Sequence, residues 1–169
     1  MNVRKNSYFP LFVNMSGKTV LFAGGGKVAE RRIHALMSVV NVSAAEQKGR
    51  EAGLQVIVVS PEATEQIDKY AQDGYILWKR TLFSEEDVDG ADYVIAATND
   101  LEINQMISEL CRHRGIPVND AGKKENCDFY FPGIAVNGDI VAGITASGTG
   151  HSLTKQVTEA VRELLHNLK

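Results

Sequence analysis

Gly24, Gly26 and Ala29 stand in G-x-G-x-x-A spacing inside residues 18–30, KTVLFAGGGKVAE. The chemistry open to such a spacing is the grip of a pyrophosphate. The first glycine permits a sharp turn, the second removes a Cβ that would block the phosphates, and the small third residue lets a helix settle on its strand. An apolar run over residues 20–23 leads in and the helix-compatible residues 27–32 lead out. The free N–H groups and dipole of that helix would face two phosphates, so a dinucleotide ligand is expected. An acid that holds the adenosine ribose should follow the second strand, about 20 residues on. Residues 55–60, QVIVVS, fit that strand and run into Ser60-Pro61-Glu62. Glu62 lies slightly beyond the usual place and has two readings of equal weight, a ribose acceptor or a solvated loop acid. No arginine follows Ser60 closely, so a 2′-phosphate has no evident partner and NAD is favoured over NADP.

The chain has 169 residues, 44% hydrophobic and 23% charged, which suits one compact domain or one with a small appendage. Its net charge of -3, with lysines and arginines dispersed, argues against a nucleic-acid footprint. The apolar runs are too short to span a bilayer. Residues 1–6 carry basic groups without the apolar stretch of a signal peptide, so a cytoplasmic protein is expected. Cys111 and Cys127 are too far apart for a CxxC pair and too few for zinc. They are expected to be free buried thiols, and no metal site is expected.

The elements that must position the glycine turn alternate along the chain. Residues 38–53 look like a helix tail and a surface excursion that lengthens the first crossover. Residues 62–73 carry apolar side chains at helical spacing, and 75–78 predict a third strand. Residues 91–97 have the near-continuous apolar character of a buried parallel strand. A helix over 101–114, stopped by Gly115, and a strand over 116–119 follow. This succession predicts an α/β fold with a doubly wound parallel Rossmann-type sheet, its ligand where 24–26, 60–62 and 98–100 converge. Residues 129–136 and 140–144 then predict two antiparallel strands around an Asn-Gly turn, with Tyr130 and Phe131 alternating on the first. A final helix over 152–168 puts Leu153, Val157, Val161, Leu164, Leu165 and Leu168 on one face. A hairpin and one helix cannot close a core alone, so they are expected to pack against a second copy as a homodimer. The expected division is an NAD-binding domain over 1–116 and a dimerisation and substrate-site region over 117–169.

Taken together, residues 8–32 (YFPLFVNMSGKTVLFAGGGKVAERR), VVSPE at 58–62, VIAATND at 94–100 with Ile103-Asn104 after it, GIPVN at 115–119, CDFYFPGI at 127–134 and GI-x-ASG at 143–148 resemble the NAD-dependent precorrin-2 dehydrogenases of siroheme synthesis. The resemblance spans nearly the whole chain. It implies oxidation of precorrin-2 to sirohydrochlorin, with iron insertion in some members, and dimerisation through the region after the Rossmann domain. It implies NAD contacts at Gly24, Gly25, Gly26, Lys27 and Val28, then at Pro61 and Glu62, and at Thr98 and Asn99. Bifunctional relatives continue into a further helical domain whereas this sequence stops at Lys169, so chelatase activity is not expected.

In several members of that family a catalytic aspartate lies three positions past the asparagine of PVN, and here that place is Gly122. The nearest carboxylate is Asp120, the expected general base, at the C-terminal end of a predicted strand. Glu125, Asp128 or a reaction that needs no strong base are the alternatives, and a turn cap is the structural reading of Asp120. The implied substrate carries many carboxylates, so Lys123, Lys124, His151 and Lys155 are candidate partners, each also readable as a solvated charge. Ser147 and Gly148, in the SGTG run before the last helix, could hold a substrate carboxylate on backbone N–H groups, or the run could cap that helix through Ser152. His34 and His113 read as structural or surface residues. A function of another class stays open, a non-catalytic NAD-binding sensor or partner subunit.

Overall fold

The computed structural model describes residues 9–40, 42, 53–146 and 150–168. Five strands form a parallel sheet in the order β3-β2-β1-β4-β5: β1 (Thr19–Gly25), β2 (Gln55–Ala63), β3 (Leu77–Lys79), β4 (Tyr93–Ala96) and β5 (Val118–Asp120). Chain order reverses between β1 and β4, and a doubly wound sheet binds its ligand at that switch point, outside the strands' carboxyl ends. The central strands read as continuous apolar runs because helices cover both faces of such a sheet. Val20, Leu21, Phe22 and Ala23 are buried, as are Val94, Ile95 and Ala96 beside them.

The helices are α1 (Lys27–Met37), α2 (Glu65–Gln72) and α3 (Leu101–Arg114). Helix α3 follows its sequence signals closely. Asp100 caps it, accepting from the Glu102 and Ile103 amides, and Gly115 ends it in the left-handed region at φ 68°.

Helix α2 starts three residues later than its spacing predicts. Strand β2 continues through Ser60-Pro61-Glu62 to Ala63, past an irregularity opposite β1, and Thr64 then caps the helix through Ile67 N. Strand β5 also ends one residue later than expected and pairs with β4 as far as Asp120.

The chain divides into two compact units, Met15–Asp128 and the pair Met1–Asn14 with Phe129–Lys169. The division falls after Asp128 rather than after residue 116, because β5 belongs to the parallel sheet and Asp128 bonds back to Val118 in both directions.

In the smaller unit β6 (Gly133–Asn137) and β7 (Ile140–Ile144) form the antiparallel hairpin, with Gly138 at φ 56° in its turn. Tyr130 and Phe131 lie before β6 rather than on it, since pairing stops at Gly133, just after Pro132, which has no N–H to give a ladder.

Helix α4 (His151–Asn167) packs on the hairpin through Thr154, Thr158, Val161 and Leu165, a stripe of helical spacing. The approach at Thr158 is close, for a Cβ on Gly133 would lie 2.2 Å from its Oγ1. Of the expected apolar row Leu165 is buried, while Leu153 (61% exposed), Val157, Leu164 and Leu168 face outward. Gly150, not Ser152, is the N-cap of α4 and, as a glycine, brings no side-chain cap; Ser152 sits inside the first turn, where its hydroxyl accepts from Gln156. Among the described residues no helix is long and apolar enough to cross a membrane.

Candidate cofactor crevice

At the carboxyl end of β1 three consecutive glycines meet three different surroundings. Gly24 sits at φ 111°, and a Cβ there would lie 2.3 Å from the Ala97 carbonyl oxygen and 2.9 Å from Thr98 N. The loop after β4 therefore rests directly on its backbone, which only glycine allows at that conformation. Gly25 is closed in from the other side, a Cβ being 2.6 Å from the Glu62 carbonyl oxygen and 2.7 Å from Ala63 Cβ. A Cβ built on Gly26 would meet nothing within 4 Å among the described residues beyond its chain neighbours. Gly26 is also the N-cap of α1 and, as a glycine, supplies no side-chain cap to that helix end.

The helical ladder starts with Glu30 N donating to Gly26 O at 3.0 Å, so the amides of Lys27, Val28 and Ala29 precede it. Open space above a glycine, unclaimed amides and a helix dipole fit a pyrophosphate. Ala29 is fully buried, as the fingerprint requires. Lys27 reaches out to Glu30 at 3.0 Å. The Thr64 hydroxyl and then Lys27 hold the Glu30 carboxyl below its usual range, tying the first turn of α1 to the start of α2.

Pro61 and Glu62 are exposed on the β2 irregularity, where Ser60 Oγ donates to Glu62 O at 2.6 Å. Thr98 is turned inward. Its N–H and hydroxyl reach Asn104 Oδ1 at 3.0 and 2.8 Å, and its carbonyl accepts from Asn104 Nδ2 at 3.2 Å. Asn99, next to it, is exposed. Gly24 through Val28, Pro61 with Glu62, and Thr98 with Asn99 thus all belong to one edge of the sheet.

Asp120 is 4% exposed, and its carboxylate is occupied. Oδ1 accepts from the Gly122 and Lys123 amides at 2.8 and 3.1 Å, and Oδ2 from Asn126 Nδ2 at 2.9 Å; Ser108 Oγ lies 3.5 Å from Oδ2 and donates to Asn104 O at 2.8 Å. That is the geometry of a loop clamp. At Gly122 a Cβ would come 2.5 Å from Leu101 Cδ2 and 3.4 Å from Asp120 Oδ1. Burial lowers the Arg32 guanidinium to about 10, with Cys127 and Asp120 acting in the opposite direction. Cys111 and Cys127 are buried thiols, and burial pushes the Cys111 thiol up to about 11.

Lys123, Lys124, Glu125 and Asp128 are exposed around this clamp. Lys155 is exposed on α4. Ser147 and Gly148 lie outside the described residues, as does the side chain of His151, the first residue of α4. Among the described residues no group of three or more His, Cys, Asp or Glu could hold a metal ion.

Two contributors escaped the sequence reading, and Gly25, expected as a dinucleotide contact through the resemblance, has the further part of admitting the Glu62 carbonyl. Asn104 had a signal, for Asn104 and Ser108 place polar groups four apart on the stripe that buries Ile107 and Cys111. Trp78 had none, since its partner is a backbone carbonyl 18 residues away.

A parallel sheet wound both ways, a glycine turn at its switch point and an uncapped helix start define a dinucleotide-binding domain of the Rossmann type. Residues 11–133 match the family model described as "Putative NAD(P)-binding". The chain belongs to this NAD(P)-binding family. It is 33% identical over 157 residues to the "Probable multifunctional siroheme biosynthesis protein HemA" of Ruminiclostridium josui, covering 92% of this chain and 28% of that protein. To a siroheme synthase of Nitrosococcus oceani it is 30% identical, over 94% of this chain and 31% of the relative. To one of Neisseria meningitidis serogroup C it is 31% identical, over 96% and 31%. The chain thus spans under a third of the length of these curated relatives. Among solved structures it is similar to one named "SirC, precorrin-2 dehydrogenase", with a TM-score of 0.69 and 23% identity, over 93% of this chain and 71% of that one. This last likeness is one of fold.

Proposed function

We propose that this chain is an NAD-dependent dehydrogenase that oxidises precorrin-2 to sirohydrochlorin in siroheme synthesis. The observation that carries the reading is the crevice: open space over Gly26 and an uncapped α1, walled by Gly24 against Ala97 and Gly25 against Glu62. The siroheme relatives that align over nearly all of this chain supply the substrate class. A bound nicotinamide accepts the hydride, and the chain's own residues then have to bind and orient the reactants. Gly24, Gly25, Gly26, Lys27 and Val28 hold the phosphates, Pro61 and Glu62 the adenosine ribose, and Thr98 with Asn99 the far side of the dinucleotide. NAD is chosen over NADP because exposed Glu62 would repel a 2′-phosphate.

Asp120, with three donors on its two oxygens, fits a loop holder better than a general base, and the reaction at this site needs no strong base from that position. The loop it holds presents Lys123 to a substrate carboxylate. Ser147, Gly148 and His151 keep the same role in this reading. Two copies associate through the outward apolar row of α4, and the enzyme works in the cytoplasm. The occupied Asp120 and the glycine at position 122 favour one rival, a non-catalytic NAD-binding sensor or partner subunit.

The test mixes protein, NAD and precorrin-2 and follows nicotinamide reduction by absorbance. Reduction with a matching rise of sirohydrochlorin is expected. NAD binding without turnover points to the sensor, and metal-dependent loss of free sirohydrochlorin to a bifunctional dehydrogenase and chelatase.

A further inference from the structure

Strands β2 and β3 pair no further than Val59 with Lys79. One residue beyond, the Ser60 carbonyl accepts instead from Trp78 Nε1 at 2.9 Å, so an indole side chain takes the place of the next ladder bond. Ser60 then spans the irregularity through its hydroxyl to Glu62 O. On the other flank Thr64 N donates to Gly25 O at 3.0 Å, and the missing Cβ of Gly25 lets the Glu62 carbonyl approach. The indole is itself fixed, with the Arg80 guanidinium 4.0 Å over its ring and bonded at 2.7 Å to Asp68 of α2. A short exposed segment, Pro61-Glu62, is therefore braced on both sides beside the glycine turn. Loops that carry only exposed side chains have no need of such bracing for the core, whereas a wall that must meet a ligand does.

We propose that Trp78 is the positioning residue for the adenosine half of the dinucleotide: its indole N–H sets Ser60, and through it the Pro61-Glu62 wall. Arg80 locks the ring in place from outside. The inference rests on the nicotinamide-dinucleotide reading of the crevice.

Trp78 is the one tryptophan in the chain, so its emission reports on this wall without labelling. In the unaltered protein, titration with NAD or ADP-ribose is expected to change that emission, and nicotinamide mononucleotide, which lacks the adenosine half, is expected to leave it unchanged. Calorimetry on Trp78→Phe, which keeps an aromatic ring and loses the N–H, is expected to show about five- to twentyfold weaker binding of NAD and ADP-ribose with mononucleotide binding unchanged. Arg80→Gln keeps the indole and is expected to weaken NAD about two- to fivefold, a second route if the first variant does not fold. NAD binding by calorimetry with no change in emission overturns the inference and leaves the cofactor reading standing, as does equal NAD affinity in Arg80→Gln and the unaltered protein. Absence of any NAD binding by the unaltered protein overturns both.

Discussion

Asp120 offers about four acceptor positions, and three donors from a turn and a 3-10 segment take most of them. A group so engaged fixes the backbone of residues 121–126 and leaves little capacity to receive a substrate proton. Asparagine in its place would turn an NH2 toward donors and strand at least one of them. Asp120→Asn is therefore expected to lower stability by about 1–3 kcal/mol, read as a lower urea midpoint. Were it instead the general base, turnover would fall by about 10²–10⁴ at an unchanged midpoint. Asn104 plays the equivalent part for the β4–α3 loop, answering the N–H, the hydroxyl and the carbonyl of Thr98 with one buried amide.

The strands that carry the crevice are anchored at their opposite ends by an ion pair. Lys18, just before β1, donates to Asp92 Oδ1 at 2.7 Å, and Thr19 N donates to Oδ2 at 2.8 Å, so β1 and β4 start in register. Burial works to raise the Asp92 carboxyl, but Lys18 and the Thr19 amide outweigh it and hold the group below its ordinary value. A depressed carboxyl adds stability above its unfolded value of about 3.9 and loses it as pH falls through the lower folded value. Urea midpoints measured between about pH 6 and pH 2.5 are expected to fall at the acid end, and Asp92→Asn is expected to flatten part of that fall while starting from a lower midpoint at pH 6. Equal acid slopes in both proteins would remove this pair from the account.

At the scale of the molecule, helix α4 spends one stripe on its hairpin and leaves another outside. Leu153, Val157, Leu164 and Leu168 are exposed, together with Val136 and Ile140 of the hairpin. Apolar side chains grouped on one small unit mark an association surface, and a second copy is the proposed occupant. Leu164, 59% exposed, loses nothing of its own unit's core on replacement by a charge. Leu164→Glu is expected to shift sedimentation from dimer to monomer with the helical circular dichroism unchanged. A monomeric unaltered protein would end the proposal.

Much of this was legible along the chain because it is local. The G-x-G-x-x-A turn, the continuous apolar strands and the Asp100 and Gly115 caps of α3 depend on neighbours within a few residues, so spacing alone announces them. The end of β2 was misjudged because proline and an acid read as a turn, whereas Ser60, Gly25 and Trp78 from three strands keep the segment extended. Asp120, after a strand, was readable as a general base or as a turn cap, and only packing revealed the three donors that engage it. Local sequence thus determined the dinucleotide-binding architecture and where its ligand edge lies. Tertiary structure decided which side chains at that edge remain free to meet a ligand, because hydrogen-bond capacity is finite and its claimants come from elements far apart in the chain.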